Sequence, residues 1–523
     1  MLRHRHRWTI GLVAVLATVL TACGGGGGSE QAAAGAPQAD PNGTLRFAWT
    51  IPAVPLDPHT PASSIGQAPY IFPVYDRLTQ LVAGPELKPM VATKWEFSPD
   101  SKAVTFTLRD DVTFHDGTKV DSAAVKASLE RALTLEKSTV KGQLSMIDGI
   151  DTPDPTTLVV RAERPASDLP YVLSSSIGAI INPKSLTKPD LDTVPDGSGP
   201  YTVAEYKAGD RVVYKRAANY WEPQAQQAAT IELIGITNDN ARLSALRSGQ
   251  VDAILSKVGQ YDQASALGGG YELHSYPAAA TYAIYLNTAR PHVDQAKVRQ
   301  AFNYAIDREA LNQSILDGQC APQGQPLTQV LDGFLPNPPV VYGHDVAKAK
   351  QLLAEAGLPN GLDIRMLVGA SLSPQDQLAP ALQAQLAEAG IRVTIDAQDA
   401  YQLNALWNTG SQYDAYLNTR TASATAATTL RDNYLSPSRF PGPVPDGFAE
   451  AVNKAFDANL SAQDRTATLQ QASTIAVDQA MDAFICALPT QVTHSDKVIG
   501  ADSMGQSDFQ GIFDLRYVGI AAG

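Results

Sequence analysis

From about residue 43 onward, short alternating stretches interleave with segments whose apolar residues recur at helical spacing. Val104-Thr105-Phe106-Thr107-Leu108-Arg109 alternates apolar and polar, as do Ile391, Val393 and Ile395 with Arg392 and Thr394 between them. Each predicts a strand with one buried face. Between Val298 and Leu316 the positions Val298, Phe302 and Ile306 recur every fourth residue with Ala301 and Ala305 beside them, setting one helix face against a core. Asp345 reads as the N-cap of a helix carrying Ala349, Leu352, Leu353 and Ala356, stopped by Gly357. Ser373-Pro374 opens another that ends at Gly390, with Pro380 expected to kink it or delay its start. Strands and helices mixed in this way predict an α/β architecture. No fixed-period repeat is present, and the Pro-dense stretches 322–339 and 437–445 read as ordered surface loops.

The N-terminus follows a different pattern. Arg3, Arg5 and Arg7 precede an apolar run of 11 residues, Ile10 to Leu20. That run is short for a membrane span and suits the hydrophobic region of a secretory signal. Leu20-Thr21-Ala22-Cys23 resembles a bacterial lipobox, in which the Cys is acylated and becomes the first residue of the mature chain. The plainer alternative is an ordinary Cys after a secretory signal, but the small residues before Cys23 and the Gly24–Gly28 run after it favour the lipobox. Residues 1–22 are thus expected to be a signal peptide and 23–43 a lipidated flexible linker with little to bury. Several acyl chains on Cys23, at about 0.8 kcal/mol per buried methylene, would hold the protein stably on the outer face of the cell membrane.

Length and charge narrow the rest. A chain of 523 residues is too long for one core and suggests about three domains. Its formal net charge of −13 becomes −16 when the three Arg of the signal peptide are removed, and no basic block offsets it. A chain that acidic is a poor candidate for binding nucleic acid or an anionic membrane surface. If Cys23 carries lipid, Cys320 and Cys486 remain as a pair in an oxidising compartment; they are either bridged or two free thiols, since spacing says nothing of geometry. No Gly-x-Ser-x-Gly elbow, HExxH or CxxC occurs, and no cofactor or metal is expected. His115-Asp116-Gly117-Thr118 lacks further ligands at metal spacing and reads as a strand-ending turn. Arg299 and Asp307-Arg308 are expected on a solvated or ion-paired helix face.

Four stretches in order resemble the family 5 extracellular solute-binding proteins, the dipeptide-, oligopeptide- and nickel-binding subunits of bacterial ABC importers. They are Met90-Val91-Ala92-Thr93-Lys94-Trp95 with Thr105 to Thr118; Gly197-Ser198-Gly199-Pro200-Tyr201 with Asn219-Tyr220-Trp221, Arg242-Leu243 and Ser248 to Asp252; Tyr285-Leu286-Asn287-Thr288 with Val298-Arg299-Gln300-Ala301 and Ala305 to Arg308; and Ala347 to Gly357. The resemblance implies a periplasmic-binding-protein type II-like fold, with two lobes enclosing ligand in a cleft and an additional inserted domain. On this layout the first lobe takes 44–87, 186–279 and 493–523, the inserted domain 88–185, and the second lobe 280–492. It implies a monomer with no chemistry of its own, which captures a peptide or other small polar or anionic solute and delivers it to permease subunits driven by a separate ATPase. A ligand sensor signalling to a membrane partner, or a hydrolase on the same scaffold, are the alternative readings.

The match fails at the ligand site. Peptide-binding members carry a Tyr-Asp pair followed by Trp-x-Ala-Asp, whose Asp holds the peptide ammonium. Here Tyr413-Asp414 is followed by Arg420-Thr421-Ala422-Ser423, with Arg in the Trp position and Ser in the Asp position. Either Arg420 meets an anionic or carbonyl-rich ligand with Thr421 and Ser423 as neutral hydrogen-bonding groups, or it points to solvent or pairs with Asp414, Asp432 or a first-lobe acid and the contacts lie elsewhere. Trp407, Tyr401, Tyr276 and Tyr282 are candidate aromatic walls, and Ser63 and Ser64 fall where the family offers first-lobe backbone contacts. Cys23→Ser is expected to release folded protein from the membrane fraction; a variant that resists carbonate extraction as the wild type does would place the anchor elsewhere.

Overall fold

The alternating stretches form strands in a computed structural model that describes residues 38–61, 64–82, 86–258, 260–370, 372–399, 402–408, 412–423, 425–504 and 513–523. Cys23 with the signal peptide and nearly all of the linker, Ser63 and Tyr401 lie outside the described residues, and of Ser64 only its place at the start of the Ser64–Ile71 helix is described. Residues 38–523 make one compact unit built on three principal sheets.

The strand at Ala103–Leu108 lies in a four-stranded antiparallel sheet ordered Ala92–Phe97, Ala103–Leu108, Thr157–Ala162, Ile147–Asp154. Val104, Phe106 and Leu108 share a core with Ala124, Val125 and Leu129 of the Ser122–Thr134 helix. That helix starts where the Asp121 carboxylate accepts the Ala124 N–H. After the strand, Asp116 accepts the Thr118 N–H and Gly117 takes φ +83°, the turn that its residues predict.

A seven-stranded sheet forms the first lobe. Its central Thr44–Trp49 strand runs parallel to Thr230–Gly235 and Ala253–Ser256, and the late strand Thr490–Ser495 inserts antiparallel between Ala253–Ser256 and Tyr271–Tyr276. The Gly-Ser-Gly-Pro-Tyr stretch leads into this sheet against the backbone at Pro73–Val74. A Cβ at Gly197 would stand 2.3 Å from the Val74 carbonyl oxygen, so only glycine fits. Ser198, Tyr220 and Trp221, from two segments of the second motif stretch, all donate to the buried Asp76 carboxylate at 3.1, 2.8 and 3.0 Å.

The second lobe carries a six-stranded sheet in which Thr281–Leu286 lies between Asp482–Ala487 and Ala415–Arg420, both antiparallel to it. Leu362–Gly369 and Ile391–Gln398 extend the sheet in parallel. Asp345 caps the Val346–Glu355 helix by accepting the Lys348 N–H, and Gly357 follows at φ +83°. The Gln375–Glu388 helix holds Pro380 inside it.

Two expectations are corrected. The periodic run 298–316 is two helices, Ala296–Ala305 and Arg308–Ile315, because Asp307 turns to cap the second by accepting the Ala310 N–H. Arg299 and Arg308 are buried, not solvated. Arg299 donates to the carbonyls of Gln479, Ala480, Val293 and Asp294, and Arg308 to those of Phe484, Asn303 and Tyr342. Their charges thus meet interior backbone carbonyls that a solvated arginine would leave without a donor.

Cys320 and Cys486 are joined as a disulfide with Cα atoms 5.5 Å apart and both residues in the second-lobe core. The bond ties the Ala321–Pro322 edge to the Asp482–Ala487 strand. It links positions 166 residues apart, so Cys320→Ala with Cys486→Ala is expected to cost about 2–5 kcal/mol in urea unfolding. An unchanged unfolding midpoint, or two free thiols titrated in denatured unreduced protein, would contradict the bond.

Candidate ligand-binding site

A cavity of about 920 Å³ lies between the inserted domain and the second lobe. The inserted domain contributes Thr139, Gln143, Ser145, Arg164 and Tyr171, the second lobe Thr421, Ser423, Arg431, Asp432, Ser436 and Arg439, and the first lobe Pro61. A side chamber of about 410 Å³ adjoins it; Asn404, Thr421, Ser438 and Arg439 line both.

Local structure explains how the second lobe presents these groups. The Ala415–Arg420 strand ends at the cavity edge, and Thr421-Ala422-Ser423 leaves it without regular secondary structure. Thr425 then caps the Ala426–Tyr434 helix by accepting the Thr428 N–H, and the last turn of that helix carries Arg431 and Asp432 to the cavity. The Pro-dense loop that follows supplies Ser436, Ser438 and Arg439.

Charge is distributed unevenly around this space. Arg431 lies between two carboxylates, donating to Asp168 at 2.9 Å and Asp432 at 3.0 Å. Burial works against its charge, and the two acids outweigh burial and hold its pKa above the usual guanidinium value. Asp432 also accepts the Ser423 hydroxyl proton at 3.1 Å. The position that loses its carboxylate at Ser423 therefore has one beside it, carried by the neighbouring helix. Arg164 and Arg439 have no carboxylate within ion-pair distance among the described residues. Arg439 donates to the Thr421 hydroxyl and the Asn433 amide oxygen, both at 3.0 Å. Burial, and then the charge of nearby Arg431, push the Arg164 pKa below its usual value. A half-buried arginine facing like charge is a site that an anion would relieve.

Arg420 does not reach this cavity. Its guanidinium, 1 % exposed, donates to both oxygens of Asp482 at 2.6 and 2.8 Å and to the carbonyls of Asn433 and Arg439. It crosses the strand between them, 3.4 Å over the Tyr285 ring, and the Tyr434 hydroxyl donates to the same acid. The reason it turns inward is Asp482, which stands on the far side of the Thr281–Leu286 strand and would otherwise be a buried, unpaired carboxylate.

The other expected residues divide. Thr421 lines both chambers, Ser423 the main one, and Trp407 and Tyr282 the side chamber. Tyr276 is remote: its ring sits in the first-lobe core and its hydroxyl donates to the Ala501 carbonyl. Arg164, Arg431, Asp432, Arg439 and Asn404 escaped the sequence reading. For Arg164 and Arg439 the signal is a basic side chain within a turn-rich loop, as in Ser436-Pro437-Ser438-Arg439 and Glu163-Arg164-Pro165, since loops on a rigid scaffold commonly carry function; Arg431, Asp432 and Asn404 lie on helices and carry no such signal.

Two α/β lobes with an inserted domain beside a polar cavity are the architecture of a solute-binding protein. The sequence pattern of bacterial extracellular solute-binding proteins, family 5 Middle, matches residues 86–442, more than half of the chain, and the chain belongs to that family. It is 29 % identical over 469 residues to the glutathione-binding protein GsiB of Salmonella paratyphi A (strain ATCC 9150 / SARB42), covering 87 % of this chain and 89 % of the relative. It is 30 % identical over 362 residues to GsiB of Escherichia coli (strain K12), 66 % of this chain and 68 % of that one. Among solved structures, the binding protein AgaA of A. tumefaciens R10 in complex with agropinic acid superposes with a TM-score of 0.79 at 26 % identity, covering 92 % of this chain and 99 % of that one. The ABC transporter-associated periplasmic binding protein DppA of Helicobacter pylori in complex with peptide STSA gives 0.78 at 22 % identity over 92 % and 98 %. The protein is accordingly a type II periplasmic-binding-protein fold that serves an ABC importer as its solute-binding component.

Arg420→Ala is expected to lower stability by about 3–5 kcal/mol, because it strands Asp482 as an unpaired buried charge. Chemical denaturation measures this; a loss under 1 kcal/mol would mean that the pair is not closed.

Proposed function

We propose that this protein is a lipid-anchored monomer that captures a small acidic zwitterion, an amino-acid derivative or short peptide with more carboxylates than ammonium groups, and passes it to a membrane permease. It performs no chemistry on what it binds. The reading rests on one observation: Arg164 and Arg439 face the cavity without acidic partners, while Arg431 is shared by two acids. Three arginines against Asp168 and Asp432 leave one net positive charge around the cavity. A ligand with two carboxylates and one ammonium complements that arrangement. Its carboxylates would be taken by Arg439 and Arg164 as charge-assisted forks, its ammonium by Asp432, with Thr421 and Ser423 as neutral partners. Glutathione, the solute in the name of the curated relatives, has this charge pattern.

A thermal-shift series with glutathione, acidic dipeptides, their carboxamide analogues and neutral dipeptides tests the reading. A ligand at about 100 times its Kd adds about 2.7 kcal/mol of stability, so acidic members should raise the melting temperature and carboxamides should not. Arg439→Ala should weaken an acidic ligand about thirtyfold, or about 2 kcal/mol, by calorimetry. Equal affinity for neutral and acidic dipeptides, together with no effect of Arg439→Ala, would overturn it.

A further inference from the structure

The bodies on either side of the cavity also meet beyond its edge. The turn 98–102 of the inserted domain joins the Ala92–Phe97 and Ala103–Leu108 strands. Within it Ser101 is buried and takes φ +58°, in the left-handed region that glycine occupies freely and other residues resist. Glycine would make this turn with less strain. What serine adds is a hydroxyl, with one proton to donate and two lone pairs to accept. All of that capacity goes to the second lobe. The hydroxyl donates to the Asp457 carboxylate at 3.1 Å and accepts the Ala458 N–H at 2.9 Å and the Asn459 amide at 3.2 Å. The Asn459 amide also donates to the Pro99 carbonyl at 2.8 Å.

The seam continues from this point to the cavity. The Ser167 N–H donates to the Phe456 carbonyl at 3.4 Å. The Phe456 ring faces the guanidinium carbons of Arg164 and Arg431, 5.4 and 4.8 Å from its centroid, and both arginines line the cavity. No stretch of chain links the inserted domain directly to the second lobe. From Tyr201 to Tyr276 the chain builds first-lobe strands, and it enters the second-lobe sheet only at Thr281. The two bodies therefore separate only when these contacts break. We propose that Ser101, with Asp457 and Asn459, is a clasp that holds the inserted domain on the second lobe around bound solute and so sets its residence time. The inference rests on the solute-capture reading above and adds what governs release. Each such bond contributes modestly, because water replaces it on opening, which suits a contact that must open again. The strained backbone at Ser101 is what places its hydroxyl against the second lobe.

Stopped-flow fluorescence with glutathione as the probe measures association and dissociation on protein made soluble by Cys23→Ser. Ser101→Gly and Asn459→Ala should each raise the dissociation rate about fivefold and leave the association rate within about twofold of the unsubstituted protein. Ser101→Gly relieves the backbone, and Asn459 is exposed, so folding is retained in both, as the melting temperature checks. A turn with only a structural role shifts the melting temperature and leaves dissociation unchanged; unchanged dissociation in either folded variant overturns the clasp. If neither glutathione nor any acidic dipeptide binds, the acidic-zwitterion reading falls, and the clasp is decided on ligand-free protein. There Ser101→Gly should enlarge the radius of gyration in small-angle X-ray scattering, and an unchanged radius overturns it.

Discussion

The buried pair of Arg420 and Asp482 is the constraint on which the ligand side of the second lobe depends. The two residues stand at the ends of strands on opposite sides of Thr281–Leu286, so the ion pair spans three strands and passes over the Tyr285 ring. Through the Asn433 and Arg439 carbonyls and the Tyr434 hydroxyl it also holds the end of the Ala426–Tyr434 helix and the loop after it. Those segments carry Arg431, Asp432 and Arg439. Two charges taken out of water are costly unless their hydrogen-bonding capacity is met, and here the surrounding backbone meets it. A buried charge has thus been used to fix the position of the charges that face the ligand.

The opposite wall is held by a second set of polar contacts. Asp168 of the inserted domain, buried, accepts from Arg431 and from the Thr428 hydroxyl of the second lobe. Nearby, the Ser101 hydroxyl donates to Asp457 and accepts the Ala458 N–H, and Asn459 donates to the Pro99 carbonyl. These bonds join the two bodies that enclose the cavity. Arg431 belongs to both systems, pairing across the interface with Asp168 and within its own helix with Asp432. One guanidinium therefore links the Asp432 carboxylate at the cavity to the contact between the bodies.

The first lobe plays a different part. Its motif residues converge on Asp76, with Arg516 of the C-terminal segment 3.9 Å away, and they do not line the cavity. Motif residues of this kind are scaffold, so they make the fold legible in the sequence and leave the ligand undetermined.

Short-range features were legible in the chain alone. The Asp345 cap, the Gly357 stop, the turn at Asp116–Thr118 and the half-buried strand at Ala103–Leu108 each depend on residues within a few positions of one another, where propensity and backbone geometry decide. The class of fold follows, since several such elements must pack in a limited number of ways. The direction of a long side chain is settled differently. Arg420, Arg299 and Arg308 could each have been solvated by their local sequence; all three are buried because a distant carboxylate or interior backbone carbonyls required donors. The pairing of Cys320 with Cys486, and a cavity assembled from segments near 61, 139–146, 164–177 and 404–439, likewise exist only once the strands are in register. Local sequence determined the elements, and long-range electrostatic and hydrogen-bond satisfaction, available only in the packed state, decided which charges were left to meet a ligand.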